Sequence, residues 1–84
     1  GQPRSAEPWV GLAAACAALG RFDEAGAALD EALRIDPADA QAHFNRGELA
    51  RAAGDRAAAR RHYEAALHDP VTAERARARL AEQP

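Results

Sequence analysis

Residues 9–37, WVGLAAACAALGRFDEAGAALDEALRIDP, decide the fold. Trp9, Leu12, Cys16 and Leu19 fall at i, i+3, i+7 and i+10, the spacing of one helical face. Gly20 stands just past that run, where a helix can stop in a left-handed cap most cheaply if no Cβ is present. Asp23 and Glu24 follow Phe22 in the first turn of a second helix, where the helix dipole favours acids. Ala25, Leu29, Ala32 and Leu33 give that helix its own apolar face, which closes at Pro37. The stretch predicts two helices around a tight turn.

The pattern is written twice. Shifted by 34 positions, residues 6–34 fall on residues 40–68, with identities at Ala6/Ala40, Ala18/Ala52, Gly20/Gly54, Ala25/Ala59, Ala32/Ala66 and Leu33/Leu67. Alanine richness alone nearly accounts for that count, so the kind of match matters more. Both glycines coincide, Leu29 falls on Tyr63 and Val10 on Phe44. Asp-Pro closes each unit, at Asp36-Pro37 and, one residue early, at Asp69-Pro70. In the second unit Phe44, Gly47 and Ala50 share one helix, Gly54 stops it, and Ala59, Tyr63, Ala66 and Leu67 line the next. Asp55 suits the N-cap of that helix. Helices cross closely only where side chains are small, which puts Ala25, Ala32, Ala59 and Ala66 at the contacts. Trp9, Phe22, Leu29 and Tyr63 are expected to fill the space beside them. Residues 71–82 read as a fifth helix whose apolar face, Ala73, Ala76 and Leu80, is thin, with Arg75, Arg77 and Arg79 pointing elsewhere. Such a helix suits a solubilising cap on an open stack. The expected organisation is a linker at 1–5, repeats at 6–39 and 40–70, and a capping segment at 71–84.

Composition agrees with an all-α chain. Of 84 residues 48% are apolar, and 25 of those 40 are alanine. So few β-branched and aromatic residues cannot fill a sheet sandwich. The single cysteine, Cys16, excludes an intrachain disulfide and a cysteine-based zinc site. No apolar run approaches a membrane span, and no signal-peptide core is present, which tilts the compartment toward the cytoplasm without fixing it. A net charge of −2 gives no general attraction to nucleic acid or anionic lipid. The charge is uneven, however. Residues 1–42 carry three arginines against seven acids, and residues 43–84 carry eight against six. That asymmetry is compatible with head-to-tail self-association as well as with ordinary surface variation.

The first unit resembles the tetratricopeptide repeat (TPR) family. The family signature W-x2-L-G-x2-Y…A-x3-F…P is met by Trp9-x2-Leu12-Ala13-x2-Cys16, then Ala25-x3-Leu29 and Pro37, with Ala13 standing for glycine, Cys16 for tyrosine and Leu29 for an aromatic. The second unit is looser, with His43, Arg46 and Ala50 at the tryptophan, leucine and tyrosine positions, but it keeps Gly47, Gly54, Ala59, Tyr63, Ala66 and Pro70. The resemblance implies a right-handed stack of antiparallel helix pairs whose first helices line a concave, peptide-binding groove. It implies a non-catalytic protein-interaction module with no cofactor, or a structural or self-associating unit, or an appendage of a larger enzyme. Carried over residue by residue, the concave stripe falls on Glu7, Val10, Ala14 and Ala17, on Gln41, Phe44, Asn45, Glu48 and Arg51, and on Glu74 and Arg77. Val10, Phe44, Asn45, Glu48, Arg51 and Arg77 are the expected partner-binding residues, with Phe44 either an exposed aromatic anchor or a ring that helps bury the seam between helices while the charges form a solvated face. The partner expected is a protein or peptide of unknown identity, not nucleic acid or membrane. Only Asn45 matches the family's carboxylate clamp for the tails of Hsp70 and Hsp90. Val10 and Ala14 replace polar clamp residues and the chain has no lysine, which argues against those tails.

Chemistry is hard to place on these residues. A nucleophile needs a base within hydrogen-bonding reach, and Ser5, Cys16, Tyr63 and Thr72 fall in linker, core, packing and cap positions. His43, His62 and His68 include no i, i+4 pair, so no metal site is expected. His43 is expected to pack against the preceding helix pair with its ring edge wet.

Overall fold

The computed structural model describes residues 5–82. Within them five helices follow in order: α1 (Glu7–Ala18), α2 (Phe22–Ile35), α3 (Ala40–Ala52), α4 (Arg56–Ala65) and α5 (Pro70–Glu82). The expected linker at 1–5 falls, except for Ser5, outside the described residues.

The two turn glycines set the antiparallel pairing. Gly20 and Gly54 adopt φ of +77° and +81°. At each, the amide of the following residue reaches back to the helix, Arg21 to the Cys16 carbonyl at 2.8 Å and Asp55 to the Ala50 carbonyl at 2.9 Å. The glycine amides bond Ala17 and Arg51 at 3.0 and 3.1 Å, completing a Schellman cap at each helix end. Asp55 then caps α4, its Oδ1 accepting from the Ala58 amide at 3.1 Å. Asp39 caps α3 through Ala42 at 2.9 Å, and Asp69 caps α5 through Thr72 at 2.8 Å. That last hydrogen bond, with others to Thr72, holds the Asp69 carboxyl below its usual range. Pro70 begins α5 rather than merely ending the repeat, since the first helical residue needs no amide donor.

Small residues let the helices close on one another. Ala25, Ala32, Ala59 and Ala66 are fully buried, and Leu29 and Tyr63 are the largest side chains sealed between them. A Cβ on Gly47 would lie 2.7 Å from the Tyr63 ring, so that glycine is the space in which the ring sits. One cluster joins Val10, Ala13 and Cys16 of α1 to Ala25, Ala28, Leu29 and Ala32 of α2. A second joins Phe44 of α3 to Ala59 and Tyr63 of α4 and to Ala76 of α5.

Two sequence expectations are corrected. The buried face of α1 is Val10, Ala13 and Cys16; of the expected stripe only Cys16 lies inside. Trp9 is 37% exposed, Leu12 49% and Phe22 52%. Val10 and Ala13 let α1 approach α2 more closely than tryptophan would, and the Trp9–Leu12 side stays partly open beside Glu24, Ala27 and Glu31 of α2. The arginines of α5 also do not all turn outward. Arg75 lies 4.4 Å from the centre of the Phe44 ring, and Arg79 reaches α3.

The helices form two layers of different spacing. α1 packs on α3 and α3 on α5, whereas the backbones of α2 and α4 stay apart. Close neighbours on one side and separated ones on the other curve the stack, with α1, α3 and α5 on the inner face. The overall extents, 46 × 28 × 17 Å, describe an elongated slab.

Candidate functional site

The inner face is built from the first helix of each pair, and its centre is the seam between α1 and α3. Ala13, Ala14 and Ala17 of α1, with Ala25 and Leu29 beneath, face Asn45, Glu48 and Leu49 of α3 across a notch of about 60 Å³. Only alanine on α1 leaves this space open. Asn45 is half-buried at the notch, and among the described residues nothing hydrogen-bonds its amide.

Glu48, beside it, is already engaged. Tyr63 Oη donates to Glu48 Oε1 at 2.7 Å. Arg79 grips the same carboxylate with both edges of its guanidinium, Nε to Oε1 at 2.7 Å and Nη2 to Oε2 at 3.1 Å. Burial pushes the Glu48 carboxyl up, but the hydrogen bonds from Arg79 and Tyr63 outweigh it and hold the group below its ordinary value. Burial, and then the Glu48 hydrogen bond and charge, push the Tyr63 phenol well above its ordinary range. Arg79 and Arg51 both reach Glu82 at 3.3 Å, so the end of α5 is held to α3 by a four-residue charge network.

The expected partner-binding residues therefore divide. Asn45 and Glu48 meet at the notch. Arg51 is exposed but tied to Glu82, and Arg77 is exposed on α5. Val10 is buried in the first core. Phe44 is not the exposed anchor the stripe suggested: it is 3% exposed, tilted against Tyr63 with ring centroids 5.6 Å apart and covered by Arg75. The capping helix closes over it, as an apolar ring beside an open seam requires. Arg79 is the residue sequence reasoning missed. No short-range pattern carries its signal, since its partner Glu48 lies 31 positions away on α3.

Among the described residues no three His, Cys, Asp or Glu side chains gather as a metal site, and no helix is long and apolar enough to cross a membrane. Cys16 is buried in the first core.

The TPR repeat family model matches residues 13–54, half of the chain, spanning most of the first repeat and the first helix of the second. The chain belongs to the tetratricopeptide repeat family. No curated protein and no solved structure gives a match. It is thus a TPR repeat domain, an all-α class generally used as protein–protein interaction modules and typically non-catalytic.

Proposed function

We propose that the domain binds an extended peptide segment of a protein partner across the α1–α3 seam of its inner face. The observation that carries this reading is the pairing of an open alanine-lined notch with an unengaged amide at Asn45. Asn45 can accept and donate to a peptide backbone, while the notch takes a small apolar side chain. Gln41 on α3 and Glu74 on α5, both exposed, extend the polar rim, and Arg77 adds a cation without a described partner. Phe44 is buried in the second core, so its truncation tests folding rather than binding. The experiment is affinity capture with wild type and with Ala14→Trp/Asn45→Ala. Ala14 is exposed, so the indole fills the notch without entering the core. The seam variant should lose the captured partner at unchanged helicity, whereas Arg60→Ala/Arg61→Ala on the outer layer should keep it. Retention by the seam variant and loss by the outer pair would reject this reading.

The exposed apolar side formed by Trp9 and Leu12 along α2 supports a second reading, self-association. It predicts sedimentation that depends on concentration and that Trp9→Gln makes monomeric. Monomeric wild type at high concentration would dismiss it.

A further inference from the structure

We infer that His43 and His62 form a one-proton clasp joining α3, α4 and the turn between the repeats, and that the clasp opens when the pair takes up its second extra proton. Their δ nitrogens lie 3.2 Å apart, and the rings are tilted by 30° with centroids at 5.4 Å. On its far side His43 Nε2 lies 2.9 Å from the Pro37 carbonyl oxygen. A carbonyl only accepts, so His43 carries a proton on Nε2 whenever that contact holds. Neutral His43 then has a bare Nδ1, and the hydrogen bond between the rings requires the proton of His62 to sit on its Nδ1. The pair is thereby fixed in one tautomeric arrangement, with His62 Nε2 bare.

Proton counting gives the rest. One added proton goes to His62 Nε2, or is shared as His43 protonated on both nitrogens and donating to His62. In either form a single proton still lies between the δ nitrogens and the clasp survives. A second added proton places hydrogens on both Nδ1 atoms and a positive charge on both rings, so the α3–α4 bond is lost. The surroundings resist charging. Burial first, then His43, Arg46 and Arg61, push the His62 imidazole down from its ordinary value, with Asp30 on α2 opposing them. Asp30 is itself paired with Arg46 at 3.2 Å. The two acids of the inter-repeat turn hold backbone amides, Asp36 that of Ala38 and Asp39 that of Ala42. The folded pair therefore binds its protons less readily than the unfolded chain at His62, and the clasp contributes stability at neutral pH that is lost on acidification.

The test is long-range proton–nitrogen NMR of the labelled chain between about pH 8 and about pH 4.5, the range over which imidazoles titrate. At the alkaline end His43 should carry its proton on Nε2 and His62 on Nδ1. On acidification the amides of Ala38 and Asp39 should move at the point where both Nδ1 atoms carry hydrogens. In His43→Phe, His62 should revert to the Nε2 tautomer and titrate at higher pH. If the variant does not fold, the wild-type tautomers decide alone. His62 protonated on Nε2 at alkaline pH, or turn amides unmoved once both Nδ1 atoms carry hydrogens, would overturn the clasp.

Discussion

The contact that holds the capping helix in place can be measured directly. Arg79→Met keeps the aliphatic stem of the side chain and removes both hydrogen bonds to Glu48. An exposed ion pair contributes about 0.2–1 kcal/mol, and hydrogen bonds to charged groups reach about 1.5–3 kcal/mol. Both side chains here are 31% exposed, so solvent screens the pair in part. The grip is two-pronged, and Tyr63 fixes the carboxylate from the other side. Those features place the coupling between the limits, at about 1–2 kcal/mol in a double-mutant cycle of Arg79→Met with Glu48→Gln. In a domain of this size each 1 kcal/mol moves the Tm by about 4–8 °C. Urea unfolding of the four proteins reads the coupling, with Arg77→Met as the control for an arginine that makes no such contact. Acid titration adds a second axis. The Glu48 carboxyl is held below its ordinary value, so the unfolded chain binds its proton first and stability falls as pH drops through about 4.3 and below. Arg79→Met should flatten that fall. A coupling under about 0.5 kcal/mol, or a loss equal to that of Arg77→Met, would show that the charge network does not secure the cap.

Substitutions at two glycines probe the backbone and the core. At Gly54 an added Cβ meets nothing within 4 Å, so its cost comes only from the positive φ; Gly54→Ala should lose about 1–2 kcal/mol and Gly54→Val more, by thermal or urea unfolding. Gly47→Ala puts a methyl against the sealed Tyr63 ring and should cost about 1–3 kcal/mol although alanine is the better helix former. A stabilised Gly47→Ala would show that the ring has room.

Local features were legible in the sequence, and distant pairings were not. Gly20, Gly54 and Asp55 announced their roles because caps depend on neighbours within a turn, and the structure gives each the geometry expected. Ala25, Ala32, Ala59 and Ala66 were found because repetition marks contact points. The face of α1 was misread for a physical reason. Its residues 9–19 are apolar almost all round, so the Trp9–Leu12 and Val10–Ala13 stripes satisfy the helical period equally well. Only the neighbour that covers one of them decides. Phe44 was placed on the groove by the family's pattern, but a helix some 30 residues onward buries it. The Arg79–Glu48 and His43–His62 pairs span 31 and 19 positions, and no short-range pattern announces such partners.

The most direct test of the seam as a binding surface is a backbone NMR titration of the labelled domain with a peptide selected against it from a random library. The account predicts shift changes concentrated at Ala14, Ala17, Gln41 and Asn45, absent from Arg60 and Arg61, and no binding by Ala14→Trp. Changes confined to α4, or undiminished binding by Ala14→Trp, would contradict it.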